Sequence, residues 1–151
     1  MSSQKHKLDL VQLTPRNLGQ LKVLNAHCFP VNYGKPFYEQ MLDTPELSRL
    51  GYVADCLVGA IGCKLEGKRM YIMTLGVLEH YRRKGFANQL LDWALSHART
   101  SGLSEVALHV QTSNSGALEF YARNGFEIKR TDPHYYPQLE PQSAHYLVKT
   151  L

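Results

Sequence analysis

The sequence predicts a single mixed α/β domain over residues 1–151: a central, mostly antiparallel sheet of about seven strands with helices on both faces. Three observations carry this. The length lies within the ~100–200 residues of one domain. Hydrophobic residues make up 44% and charged residues 20%, the balance of a chain that builds its own core rather than a disordered one. Period-two apolar runs fill the middle of the chain and then alternate with helical-period runs, the pattern of a β-meander followed by a parallel crossover.

Leu8, Leu10, Val11 and Leu13 make residues 7–13 a short strand. Thr14 is a good N-cap, Pro15 suits the first helical position, and Leu18, Leu21, Leu24 and Cys28 recur at helical spacing, which predicts a helix through Phe29. Residues 30–36 form a loop punctuated by Pro30, Gly34 and Pro36, with a short helix following around residues 37–42. Residues 50–54, 57–65 and 69–77 read as an antiparallel meander, turned at Asp55 and at Glu66-Gly67-Lys68. Gly76, late in the third strand, marks a bulge or a close backbone approach. After Gly85 a long helix carries Ala87, Leu91, Ala94, Leu95 and Ala98 on one face and ends at Gly102. Residues 105–110 form a strand, 115–124 a helix stopped by Gly125, 126–130 a strand and 144–150 a final strand. Between the last two strands, His134-Tyr135-Tyr136-Pro137 is a rigid aromatic loop.

Several function classes lose support. The longest apolar stretch, residues 57–63, is far short of the ~20 residues that span a bilayer, and the polar N-terminus lacks an export signal's apolar region. The chain therefore reads as cytoplasmic or nuclear, and Cys28, Cys56 and Cys63 as buried reduced thiols. The seven histidines show no HExxH and the cysteines no CxxC spacing, so no metal site is predicted. A net charge of +4 suits a polyanionic small ligand but supplies no basic stripe for direct nucleic-acid binding.

The sharpest local signal is Arg82-Arg83-Lys84-Gly85-Phe86-Ala87-Asn88, after a strand and opening a helix. Unpaired N–H groups and the positive end of the helix dipole favour phosphate there, and small residues at 85 and 87 allow close approach. Alone, the same residues suit a solvated basic turn equally well. The turn lacks the Gly-Lys-Ser/Thr of a P-loop and the glycine triad of a dinucleotide fold.

In context, the order of a strand with late Gly76, R-x-x-G-x-A and helix, strand, then a helix ending Asn124-Gly125-Phe126 resembles the GNAT superfamily of acetyl-CoA-dependent N-acetyltransferases. The resemblance covers nearly the whole chain and is closest to the NatE-type (San) N-terminal acetyltransferases. It rests on Phe29-Pro30-Val31-Asn32-Tyr33, Tyr71-Ile72-Met73-Thr74-Leu75-Gly76, Leu108-His109-Val110-Gln111, Phe120-Tyr121, His134-Tyr135-Tyr136 and Ala144-His145. It implies the GNAT fold, with acetyl-CoA as cofactor and its pyrophosphate on residues 82–88. The acetyl and pantetheine arm would run along Leu75, Gly76 and Val77, with an oxyanion on a backbone N–H. Asn114 would contact the cofactor, and Tyr121 would position the departing sulfur. Tyr121 also suits plain packing under the helix.

The resemblance makes Tyr71 and His109 the catalytic bases. An α-ammonium has a pKa near ~8, so a modest base suffices, and the imidazole is the natural titrating group. Phe29, Pro30, Val31, Tyr33, Met73, Tyr135 and Tyr136 would wall an apolar slot for one peptide end. Its substrates would be nascent or free protein N-termini that keep the initiator methionine, commonly ahead of a hydrophobic residue. Ala87 stands for a more usual glycine, Pro137 and Gln138 for a basic pair, and Asn32 for a small hydroxyl residue. Two other readings share the fold: a lysine or small-amine acetyltransferase, and a weakly active subunit docking on the scaffold of a ribosome-associated NatA-type complex. The aromatic slot argues against the first, and the complete turn with Tyr71 and His109 argues for real activity.

Overall fold

In the computed structural model, which describes residues 7–151, strands form at Asp9–Val11 (β1), Ser48–Val53 (β2), Cys56–Glu66 (β3), Arg69–Val77 (β4), Glu105–Gln111 (β5), Glu127–Asp132 (β6) and Ala144–Thr150 (β7). Helices form at Leu18–Cys28 (α1), Lys35–Asp43 (α2), Phe86–Thr100 (α3) and Ser115–Arg123 (α4). The absence of an export signal was an expectation about residues 1–6, which lie outside the described residues. The strands make a seven-stranded sheet in the order β1-β2-β3-β4-β5-β7-β6. β4 and β5 are parallel, joined through α3, whereas β1–β2, β2–β3, β5–β7 and β6–β7 are antiparallel. This is the expected meander followed by a crossover.

The chain groups into two compact units: residues up to Lys64 with Ile72–His97, and Leu65–Tyr71 with Ala98–Leu151. In the first, α1 and α2 bury Leu21, Leu24, Tyr38 and Met41 against Leu50 and Ala60 of the meander. Phe86, Leu90, Leu91, Ala94 and Leu95 of α3 are buried at intervals of three and four, one helical face. In the second unit β5 is buried along Val106, Ala107 and Leu108, with Phe126, Leu147 and Val148 also in the interior.

Two local expectations change. Thr14 does not cap α1; it opens a turn in which its N–H donates to Asn17 Oδ1 at 2.8 Å, and Leu18 N–H reaches Thr14 O at 3.1 Å. The Asn17 amide also donates to Gln12 O at 3.1 Å, and this side-chain network holds a turn where a helix would otherwise begin. All three cysteines are free thiols, but only Cys63 is buried; Cys28 is half-buried, and Cys56 is exposed because it opens β3 beside the turn.

Candidate active site

Tyr71 and His109 meet in the second unit because of strand register. Tyr71 pairs with Ala107 across the parallel β4–β5 ladder, and His109 stands two residues further along β5, on the same face. The Tyr71 hydroxyl lies 2.6 Å from His109 Nδ1, and His109 Nε2 lies 2.8 Å from Asp132 Oδ2. Tyr135, from the aromatic loop, stacks its ring on His109 with centroids 3.8 Å apart and sets its hydroxyl 2.9 Å from that of Tyr71. Tyr136 packs edge-on against Tyr135, and its N–H donates to Gln142 O at 2.8 Å, which anchors the loop. The predicted bases thus come together with two predicted slot residues.

Asp132 was not among the predicted residues. A bulge at Lys129 shifts the β6–β7 register between Ile128 and Arg130, so that Arg130 faces Tyr146 and Asp132 faces Ala144. Tyr146 in turn faces His109 across β5–β7, so the extra residue turns Arg130 and Asp132 onto the face of His109. Arg130 lies over the Tyr146 ring at 4.1 Å and donates from Nε to Asp132 Oδ1 at 3.0 Å.

The environment separates the titrations. Burial, reinforced by the Tyr135 hydroxyl, pushes the Tyr71 phenol well above its ordinary range. Burial lowers the His109 imidazole, against an opposing pull from Asp132. The hydrogen bonds from His109 and Arg130 hold the Asp132 carboxyl below its ordinary value. At neutral pH the site holds a phenol, a neutral imidazole and a carboxylate.

The predicted cofactor residues fall in both units. In the first, Arg83 and Gly85 adopt positive φ of 64° and 82°, curving an exposed basic turn ahead of α3. Gln89 N–H donates to Gly85 O at 3.1 Å and starts the helix, and the N–H groups of a first helical turn have no partner within the helix. A curved turn of backbone donors with Arg82, Arg83 and Lys84 fits a diphosphate. Phe86 is 2% exposed, and its ring anchors α3. Ala87 is half-buried and Asn88 exposed. Leu75, Gly76 and Val77 lie beyond the β4 residues that pair with β5. A Cβ on Gly76 would stand 2.9 Å from Phe29 Cζ and 3.0 Å from Cys28 Cβ, so the predicted close approach is to the end of α1.

The first-unit slot residues form an aromatic ladder: Phe29 edge-on to Tyr33 at 6.0 Å, and Tyr33 stacked on Phe37 at 4.3 Å. Tyr33 and Met73 both pack on the Leu24–Tyr38–Met41 core, Pro30 is exposed, and Val31 and Tyr33 line a cavity of about 330 Å³. In the second unit, Asn114 caps α4 by accepting from Ala117 N–H through Oδ1 at 3.2 Å, a use of the side chain the motif alone did not disclose. Tyr121 is buried between Phe120 and Phe126, so its ring has the packing role also read from sequence. Among the described residues no cluster of His, Cys, Asp and Glu could hold a metal ion.

Residues 18–126 match the acetyltransferase (GNAT) family. The probable N-acetyltransferase san of Drosophila melanogaster is 42% identical, the alignment covering 97% of this chain and 83% of that protein. N-alpha-acetyltransferase 50 of Danio rerio is 43% identical, with 97% and 90% covered. The structure of Arabidopsis thaliana Naa50 in complex with the bisubstrate analogue CoA-Ac-MVNAL superposes with a TM-score of 0.91 at 40% identity, covering 95% of this chain and 99% of that one. A chain of the NatC complex bound to Gag peptide and CoA gives a TM-score of 0.87 at 26% identity, covering 96% and 99%. The chain belongs to the acetyltransferase (GNAT) family. Within that family its similarity is to the San-type, NatE group of N-alpha-acetyltransferases.

Proposed function

We propose that this acetyl-CoA-dependent N-alpha-acetyltransferase acts on peptides that retain the initiator methionine, preferably ahead of a hydrophobic residue, with Tyr71 and His109 removing the proton from the α-ammonium. The observation that carries the roles is the 2.6 Å approach of the Tyr71 hydroxyl to a neutral His109. As the Tyr71 oxygen takes a proton from the ammonium, directly or through one water, its own proton passes to His109 Nδ1. The N–H bond of the ammonium breaks, the Tyr71 O–H is renewed, and His109 ends as imidazolium. No free phenolate forms, which suits a phenol pushed above its ordinary range. When bound, acetyl-CoA would supply the thioester carbonyl for direct attack by the freed amine, with coenzyme A leaving as a thiolate that takes up the proton lost from the new amide nitrogen. In the first unit residues 82–88 would hold its diphosphate and Leu75, Gly76 and Val77 its arm; in the second, Asn114 and Tyr121 are the proposed cofactor contacts.

Two observations support the methionine preference. The peptide of the Arabidopsis thaliana Naa50 analogue begins Met-Val. Phe29, Val31, Tyr33 and Met73 offer apolar and aromatic contacts to a first side chain, although the cavity that Val31 and Tyr33 line also carries Lys22 and Lys35. Similarity to a chain of the NatC complex supports work beside a partner chain; that this partner is a NatA-type scaffold and that the substrates are nascent N-termini in the cytoplasm is part of the same proposal.

The test uses the full chain, acetyl-CoA and a Met-Leu-starting peptide with an internal lysine, beside the same peptide starting with Ser. Fragment mass spectrometry locates the acetyl group. Transfer to the α-amine of the Met-Leu peptide, several-fold faster than to the Ser peptide, is expected. Transfer to lysine alone, or equal rates on both peptides, overturns the substrate reading.

A further inference from the structure

A relay through His109 works only if the correct ring nitrogen carries the proton. A neutral imidazole has one donor and one acceptor nitrogen, and either assignment is available to an isolated ring. The contacts of Asp132 remove that freedom. Its carboxylate is ionised beside Arg130 and can only accept, so at 2.8 Å it takes the Nε2–H of His109. Nδ1 is then the lone-pair nitrogen, and the Tyr71 hydroxyl 2.6 Å away must donate to it. The Tyr71 oxygen has its lone pairs left to accept from the Tyr135 hydroxyl at 2.9 Å or from an incoming ammonium. Every bond therefore points one way, from Tyr135 through Tyr71 and His109 to Asp132.

We propose that Asp132, held by Arg130, is a positioning residue that fixes His109 in its Nε2–H form and so gives the Tyr71–His109 relay its direction. This rests on the roles proposed above for Tyr71 and His109. Without the carboxylate, the Nδ1–H form becomes available; Nδ1 then donates to Tyr71, and the ring's lone pair, now on Nε2, no longer faces the phenolic proton. The carboxylate also lies against the imidazolium once the proton has arrived. Built placement supports the role: the bulge at Lys129 is what brings Asp132 to the His109 face, and bulges recur where a strand re-aims a side chain beside an active site. The other charged or titratable groups around the ring are Arg130 on β6, Glu66 at the end of β3, Tyr71 on β4, Tyr135 in the loop and Tyr146 on β7. Asp132 sets its carboxylate at hydrogen-bond distance from the ring, 2.8 Å from Nε2.

The test reads the tautomer directly. Long-range proton–nitrogen correlation spectra of the ¹⁵N-labelled full chain at pH 8 report which ring nitrogen of each histidine is protonated, and a His109→Asn variant identifies the signals of His109. Wild type is expected as Nε2–H. In Asp132→Ala, the Nδ1–H form is expected to appear and kcat to fall about tenfold, with KM for peptide and acetyl-CoA within about twofold. Asp132→Asn, which keeps the side-chain volume, serves if the alanine variant does not fold, with the same direction expected. An Nδ1–H ring in wild type overturns the proposal. So does an unchanged tautomer in a variant with reduced kcat, which reduces Asp132 to a structural role, or an altered tautomer with kcat unchanged. A wild-type chain that acetylates no α-amine refutes the functional reading instead, while the spectra still decide whether Asp132 sets the tautomer.

Discussion

The Tyr71 hydroxyl lies at hydrogen-bond distance from His109 and Tyr135, where the proposed relay needs it, whereas its ring is ordinary packing in a buried strand. Tyr71→Phe removes the hydroxyl and keeps the ring. We expect kcat to fall by about 100-fold, the scale of general-base assistance, with acetyl-CoA affinity by calorimetry unchanged. The two readouts separate a chemical from a binding role. His109 gives the pH dependence its sign: only the neutral ring accepts a proton, and burial moves its titration below the ordinary imidazole value. With saturating peptide, kcat is expected to stay level down through about pH 6.5 and to fall only below it. A fall centred above pH 7 would remove His109 as the group that must be neutral.

At the scale of elements, what decides the site is register and close approach. Tyr71 and His109 were legible through the family resemblance carried by Tyr71-Ile72-Met73-Thr74-Leu75 and Leu108-His109-Val110, and β4 occupies the residues expected of it. Asp132 was not, because the strand read as ending at Arg130 and strict alternation conceals an extra residue at Lys129. A one-residue shift moves every later side chain to the other face, and nothing in Glu127-Ile128-Lys129-Arg130 announces it. The displaced start of α1 has a similar cause, since the Asn17 side chain competes with helical bonding around Thr14. Gly76 is the opposite case, in which one residue type predicted a tight contact without naming its partner. Gly76→Ala sets a methyl group against Phe29 Cζ at 2.9 Å and Cys28 Cβ at 3.0 Å. Phe29 can swing aside, but Cys28 is held by the end of α1, so the helix end must move. We expect a loss of about 1–3 kcal/mol by chemical denaturation, as in an overpacked core. A several-fold rise in peptide KM should accompany it if Phe29 walls the peptide slot as proposed. Unchanged stability and peptide KM together would show that the contact is not tight.

Across the whole molecule, the same burial that tunes the site bounds the pH range of stability. His109 has a lower pKa folded than unfolded, so below about pH 6.5 the unfolded chain binds the extra proton and stability falls as pH falls. Asp132 acts in the same direction at lower pH, since its carboxyl is held down in the folded state and protonation releases its partners. At the alkaline end Cys63 and Tyr71 have raised pKa values, so above about pH 8.5 and then pH 10 the unfolded chain loses protons that the folded chain retains, and stability falls again. The thermal midpoint should therefore form a plateau between about pH 6.5 and pH 8.5. Cys63→Ala is expected to extend the alkaline side and His109→Gln to delay the acid fall, at whatever plateau height each variant starts from. Scanning calorimetry from pH 4 to pH 10 checks both, with the shape of each curve, not its height, as the readout. An acid limb of unchanged shape in His109→Gln would mean that the imidazole titrates alike in the folded and unfolded chains, which contradicts its buried, neutral state in the relay.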